Sequence, residues 1–195
     1  FELVAQVPYA GASVRDLSQE IARVLAARPD VVLTTTYLHD AVLIRRALAA
    51  ADPPPLMVDL AGGTVSPEYA QELGELADGT FTVSEFAPTR PEGAALNARF
   101  RSRFGRELTG DSAYAYQATR VLADAIDRAR SRSREAVRDA LAQTDLRPGP
   151  NMVLPSPRLR FGPDGQNEAG QLFVVQLQRG QFVPVWPPSE TPEKP

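Results

Sequence analysis

Cysteine is absent from the 195 residues, and histidine occurs only once, as His39. These absences exclude disulfides, thiolate metal sites and thiol nucleophiles, and they argue against a histidine zinc site or a Ser–His–Asp triad. The 21 basic residues are outnumbered by 24 acidic ones, so no cationic surplus is available for the phosphates of a nucleic acid. No apolar run approaches the roughly 20 residues that span a bilayer, and residues 1–9 lack the charged start of a signal peptide. We therefore expect a soluble chain with no metal, cofactor or nucleic-acid partner.

Short apolar runs alternate with amphipathic stretches over the first 90 residues, and 43% of the whole chain is hydrophobic, which is enough for a core. Four runs predict strands, at 1–7, 31–33, 56–60 and 80–86. The continuous run at 31–33 is typical of a buried parallel strand. Asp40 is predicted to cap the second helix, and Ser66 with Pro67 to open the third. This alternation predicts an α/β fold with a parallel sheet, in which ligands bind at the carboxyl ends of the strands.

The pattern changes near residue 90. Residues 91–143 have the periodicity of three successive helices, with Ser133 starting the last of them. Residues 147–150 are rich in proline and glycine and end this stretch. The tail predicts a hairpin of strands 171–178 and 181–186, joined by Arg179 and Gly180.

Several stretches, taken in their order and spacing, resemble a known family, although none is diagnostic alone. They are DLSQEIARVLAARPDVVL (16–33), DAVLIRRALAA (40–50), GTFTVSEFAP (79–88), FRSRFG (100–105), DSAYAYQATRVLADAIDRA (111–129), FGPDGQN (161–167) and VVQLQRGQFVPVWP (174–187). The chain is similar to the type I periplasmic binding proteins of branched-chain amino acid ABC transporters, the Leu/Ile/Val-binding family. The likeness is to the later, C-terminal part of such a protein.

The resemblance implies a fold of two α/β lobes that close on a small ligand. Residues 1–90 would then form the ligand-binding region of the second lobe, and 91–150 would be helices of the first lobe. Residues 151–195 would return through the hinge and end in the hairpin. In this arrangement the helices of 91–150 lack their own sheet, so they must expose an apolar face, pair with a second copy, or pack on residues outside this chain.

The same resemblance implies the substrate-binding component of an ABC importer. Its ligand would be a small polar solute, by default a branched-chain or other amino acid, with amides, urea and aromatic acids as alternatives. Its partner would be the membrane permease, and its location the periplasm or the outer face of the membrane through a lipid anchor. A ligand-sensing domain of a signalling protein with the same fold is the alternative function. An enzyme is disfavoured, because no general base and nucleophile assemble into catalytic residues.

Two residues are the leading ligand contacts. The resemblance places a ligand-contacting tyrosine at Tyr37, where the alternative is a half-buried ring that caps the strand end. It also places Asp59 near a position where relatives carry an acid for the ligand's ammonium group. The alignment slips by one residue there, so Leu60 can take that place and leave Asp59 as a turn residue.

Four further residues are weaker candidates for ligand binding. Gly62 and Gly63 would let the main chain approach a ligand, although an ordinary loop explains them equally well. Glu85 can line the cleft, but a position at a sheet edge is favoured. Asp111 can contact the ligand, but a helix cap is favoured. His39 is interpreted as a partly exposed side chain near a helix start, not as a metal ligand.

Overall fold

The chain divides into two units, which are described separately. The computed structural model describes residues 1–11, 14–86, 91–149 and 152–187. The first unit combines Phe1–Ser84 with Val174–Pro195, and the second is Glu85–Phe173. In chain order the elements are α1 (Ser18–Ala26), β1 (Val31–Thr34), α2 (Leu38–Leu48), β2 (Leu56–Asp59), α3 (Pro67–Leu73) with a 3-10 turn (Gly74–Ala77), β3 (Phe81–Ser84), α4 (Pro91–Phe104), α5 (Gly110–Ala129), α6 (Arg134–Ala142), β4 (Asp145–Leu146), β5 (Leu159–Arg160), β6 (Phe173–Gln178) and β7 (Gln181–Trp186).

The sheet of the first unit has the strand order β1-β2-β3-β6-β7. The strands β1, β2 and β3 run parallel, with Thr34 opposite Asp59 and Asp59 opposite Thr82. The strands β6 and β7 form an antiparallel hairpin. The parallel α/β sheet that the sequence predicts is thus confirmed for its three strands after residue 30.

The helices α1, α2 and α3 pack on one face of the sheet of this unit. One core cluster joins α1 and α2 to the strands, with the members Leu17, Ile21, Val32, Ile44, Leu48 and Met57. A second cluster joins α2 and α3 to β6, with the members Ala41, Val42, Tyr69, Leu73, Ala77 and Leu177. On the opposite face, Val31, Leu33 and Leu56 are exposed, Leu33 to 65%, and Val58 is half-buried. The prediction that 31–33 is buried on both faces is therefore wrong, because only Val32 lies on the face that these helices cover.

The beginning of the chain differs most from prediction. No regular strand forms at 1–7, because no other described strand pairs with this segment, and Phe1, Leu3 and Val4 are exposed. The helix that follows begins at Ser18, where Asp16 accepts a hydrogen bond of 2.9 Å from the Ser18 N–H group. Ser13, with Asp16 three residues on, also predicts a capping-box-like start for this helix, but Ser13 lies outside the described residues.

The hairpin turn confirms the sequence prediction. Arg179 and Gly180 both have positive φ angles, 51° and 74°, as a two-residue type I′ turn requires. Their N–H groups donate to the carboxylate of Asp78, at 3.0 and 3.2 Å. Asp78 thereby fixes the turn to the connection that precedes β3.

The second unit is mainly helical, as predicted for 91–143. Ser133 caps α6 by accepting a hydrogen bond from the Ala136 N–H group. The apolar stripe of α5 is divided: Val121 and Ala125 are buried, whereas Leu122 and Ile126 are exposed. Part of the expected apolar face is therefore exposed, and its pairing with a second copy stays a prediction. In the ranges that the structure covers, no helix has both the length and the apolar character of a membrane span.

Candidate ligand-binding site

The carboxyl ends of β1 and β2 bring most of the predicted site residues together. The two strands are neighbours in register, so the segment 35–37 after β1 and the loop 60–66 after β2 leave the sheet side by side. The Leu60 N–H group donates to the carbonyl of Thr34 at 2.8 Å, which continues the pairing past the end of β2. Tyr37, Asp59, Gly62 and Gly63 therefore belong to one edge of the parallel sheet, where such folds bind ligands.

Asp59 lies beneath this edge and has no exposed surface. Its Oδ1 atom accepts hydrogen bonds from the hydroxyls of Thr34 and Thr36, at 2.9 and 2.8 Å. Its Oδ2 atom accepts a longer one from Thr64, at 3.4 Å, and the Ala61 N–H group also donates to the carboxylate. One buried carboxylate thus joins the ends of two strands to the loop that follows them.

Burial raises the pKa of Asp59 above its ordinary value. The hydrogen bonds from Thr36, Thr34, the Ala61 main chain and Thr64 act in the opposite direction, but they do not fully offset the loss of solvation. Thr82, opposite Asp59 on β3, is also fully buried, and its hydroxyl has no hydrogen-bond partner in the described part of the chain.

Tyr37 presents its side chain to solvent, with 83% of it exposed. Its main chain, by contrast, is held on both sides: the N–H group donates to Asp40 Oδ1 at 3.0 Å, and the carbonyl accepts from the Ala41 N–H group at 2.9 Å. The ring is not half-buried as a strand-end cap would be. Asp40 caps α2 from the N3 position of a capping box: Tyr37 is the N-cap residue, and the Asp40 carboxylate accepts its N–H group.

The two glycines of the loop differ in their surroundings. A Cβ atom on Gly63 would lie 2.5 Å from Thr36 Oγ1 and 2.7 Å from the carbonyl oxygen of Tyr37. The same atom on Gly62 would meet nothing within 4 Å. Gly63 is therefore needed by the chain's own packing, whereas Gly62 is exposed and open to a ligand.

Glu85 and Asp111 lie in the second unit. Glu85 follows β3, which is the central strand of the sheet, so the interpretation of Glu85 as part of a sheet edge is wrong. Burial and then the contact with Glu85 raise the pKa of Tyr114, whose hydroxyl is hydrogen-bonded to the Glu85 side chain. Asp111 is exposed in the first turn of α5, and the cap of that helix is Thr109, which accepts from the Ser112 N–H group. Ligand contact by Glu85 or Asp111 stays a prediction.

Sequence reasoning missed the threonines that surround Asp59. Thr34 and Thr36 stand in the run TTTY at the carboxyl end of a strand, two positions apart, which is the period of one face of an extended chain. That spacing was the available signal. His39 lies near the start of α2, as interpreted, and its Nε2 atom is 2.8 Å from the carbonyl of Val14.

The chain matches the model of the periplasmic binding protein family over residues 1–181, and it belongs to that family. It is 26% identical over 193 residues to the Leu/Ile/Val-binding protein homolog 7 of Brucella melitensis biotype 1, an alignment that covers 95% of this chain and 48% of the relative. The chain thus spans about half the length of the curated relatives that it matches. The family resemblance predicted from the sequence is confirmed.

Solved structures show the same fold at lower identity. The leucine-, isoleucine-, valine-, threonine- and alanine-binding protein of Brucella ovis, in its closed conformation, matches with a TM-score of 0.78 at 14% identity, over 100% of this chain and 52% of that one. The branched-chain amino acid transporter substrate-binding protein LivJ of Streptococcus pneumoniae, in complex with isoleucine, matches with a TM-score of 0.74 at 19% identity. The match covers 88% of this chain and 48% of that one. The predicted fold, a type I periplasmic binding protein with a parallel-rich sheet flanked by helices, is confirmed. The assignment of 1–90 to the second lobe, 91–150 to the first lobe and 151–195 to the hinge return stays a prediction.

Proposed function

We propose that this chain is part of the substrate-binding component of an ABC importer and that it binds a branched-chain or other aliphatic amino acid. The family match over residues 1–181 carries the proposal. The names of its relatives support the ligand class, since they describe proteins that bind leucine, isoleucine and valine. The function is that of a non-catalytic receptor outside the cytoplasm, which delivers its solute to a membrane permease.

The exposed residues at the ends of β1 and β2 offer the polar and apolar groups that one wall of such a site needs. An amino acid offers an ammonium group, a carboxylate and an apolar side chain, which need polar partners and a shaped apolar surface. Tyr37 offers a hydroxyl and an aromatic face after β1, and Leu60, 50% exposed, offers an apolar surface after β2. Gly62 leaves the main chain of the loop open to approach.

Asp59 has a different role in this proposal from the one that the resemblance suggests. Its carboxylate has no exposed surface and already accepts hydrogen bonds from threonine hydroxyls and a main-chain N–H group. We therefore assign it to the support of the loop that contacts the ligand. Leu60 then stands at the position next to it that faces the solute.

A titration of the isotope-labelled chain with L-isoleucine tests the function. Amide chemical shifts detect weak binding, so they report on one wall of a site even where a second wall adds affinity. We expect saturable changes at Tyr37 and at residues 60–64, with D-isoleucine as the matched control and a weaker but still saturable response in Tyr37→Ala. Saturation by acetamide or urea in place of isoleucine would overturn the amino acid assignment. No saturable response to isoleucine, leucine, valine or these amides would overturn the binding function itself.

A further inference from the structure

A hydrogen bond links the start of the chain to Asp40, which lies in the first turn of α2. The hydroxyl of Tyr9 donates to Asp40 Oδ2 at 2.5 Å, across 31 positions of sequence. The Tyr9 ring packs against the core cluster formed by α1, α2, β1 and β2. Burial, followed by the contact with Asp40, raises the pKa of Tyr9, so its hydroxyl remains a donor at neutral pH.

Asp40 uses its two oxygens for two different segments. While Oδ2 accepts from Tyr9, Oδ1 accepts from the Tyr37 N–H group at 3.0 Å. The Asp40 side chain is 6% exposed, so neither bond competes freely with water. A continuous path therefore runs from the Tyr9 hydroxyl through one carboxylate to the main chain of Tyr37.

Two other contacts fix the surroundings of this path. The carbonyl of Val14 lies 2.8 Å from His39 Nε2, which ties the same N-terminal segment to α2 a second time. On the other side of Tyr37, the Cα of Gly63 packs so closely that an added Cβ would lie 2.7 Å from the Tyr37 carbonyl oxygen. The main chain of Tyr37 is thus held at its N–H group and at its carbonyl, and only its ring is free to meet a ligand.

We propose that Tyr9 and Asp40 are positioning residues for Tyr37: they fix the main chain from which its exposed phenol reaches the solute. This inference rests on the proposed function, because the phenol must contact a ligand for its position to matter. A side chain that is 83% exposed has few contacts of its own to hold it, so the orientation of its Cα–Cβ bond decides where the ring can go.

Three variants separate this role from a general loss of structure. Tyr9→Phe keeps the packed ring and removes only the hydroxyl, and Asp40→Ala removes both acceptor oxygens. Asp16→Ala is the matched control, since Asp16 also accepts an N–H group at a helix start, at Ser18, without touching Tyr37. Hydrogen exchange of the Tyr37 amide is measured without ligand, and L-isoleucine affinity is measured by the titration above, in the wild-type and the Tyr37→Ala backgrounds.

We expect the Tyr37 amide to exchange about tenfold faster in Asp40→Ala, because its acceptor is lost, and to remain unchanged in Asp16→Ala. Tyr9→Phe and Asp40→Ala should each weaken isoleucine binding roughly three- to tenfold, as coupled contacting residues do. Neither should weaken it further when Tyr37 is already alanine.

Equal losses of affinity in both backgrounds would overturn the proposal, since they would show a structural effect that does not pass through Tyr37. Unchanged Tyr37 exchange in both Tyr9→Phe and Asp40→Ala would overturn it as well. If the wild-type chain does not respond to isoleucine, the proposed function fails, whereas the exchange rates still decide whether Tyr9 and Asp40 hold the main chain of Tyr37.

Discussion

Replacing Gly63 by alanine is the sharpest test of how the loop after β2 is packed. The new Cβ would lie 2.5 Å from Thr36 Oγ1, 2.7 Å from the Tyr37 carbonyl oxygen and 2.8 Å from its carbonyl carbon. Two of these three atoms belong to the main chain, so the contacts cannot be relieved by rotating a side chain. Either the loop or the segment 36–37 has to move.

The expected loss of stability follows from two effects. Overpacking of a tight site costs about 1–3 kcal/mol. Moving Thr36 also weakens its 2.8 Å hydrogen bond to Asp59, and a bond to a charged group contributes about 1.5–3 kcal/mol. Because the loop relaxes in part, we expect a total loss of about 3 kcal/mol, which lowers a urea midpoint by about 1.5 M for an m value near 2 kcal/mol/M.

Tryptophan fluorescence in a urea titration measures this loss. Trp186 is the only tryptophan and lies in β7, in the same unit as Gly63, so the signal reports on the right part of the chain. Gly62→Ala is the matched control: its Cβ meets nothing within 4 Å, and its stability should stay within about 0.5 kcal/mol of the wild type. A Gly63→Ala midpoint equal to that of Gly62→Ala would refute the packing argument.

Three further predictions concern other residues of the first unit. Because burial raises the pKa of Asp59, its contribution to stability is largest below the pKa of the unfolded carboxyl and is lost as the pH rises through the folded value. As the pH is raised from about 4 to 7, Asp59→Asn should therefore lose less stability than the wild type. Urea midpoints that change equally with pH in the two proteins would contradict this. Because the Tyr37 ring is exposed, Tyr37→Phe should leave the unfolding free energy within about 0.5 kcal/mol of the wild type. It should weaken isoleucine binding in the amide titration, and an unchanged affinity would show that the hydroxyl does not contact the ligand. Arg179→Asn should raise stability by about 0.5 kcal/mol, because asparagine adopts the positive φ of 51° more readily, and a lower melting temperature would count against the turn geometry.

The sequence predicted those parts of the fold in which local signals and burial agree. Ser66 and Pro67 mark the start of α3, and Arg179 with Gly180 marks the hairpin turn, because each of these residues has a backbone preference that acts locally. The segment 1–7 has the composition of a strand, but a strand also needs a partner for its hydrogen bonds, and no local pattern reveals whether one is present.

The site was predictable in place but not in detail. The family resemblance placed ligand contacts at Tyr37, which follows the end of β1, and near Asp59, which ends β2. Both positions are at the carboxyl ends of parallel strands, where ligands bind. The burial of Asp59 was not foreseen, since it depends on Thr36 and Thr64 turning back over the sheet after their strands have ended. The link from Tyr9 to Asp40 spans 31 positions, beyond the reach of any periodic pattern.

At the carboxyl ends of β1 and β2, the residues that hold the main chain in place differ from the residues that face solvent. The anchoring hydroxyls come from Thr34, Thr36 and Thr64, whereas the side chains of residues 60–62 take no part in holding the Asp59 carboxylate. A combinatorial library restricted to residues 60–62 would therefore sample new contact surfaces while the three threonines keep the sheet edge unchanged. Such an arrangement lets ligand preference diverge between relatives, or be redirected by selection in the laboratory, without a matching change in the sheet beneath.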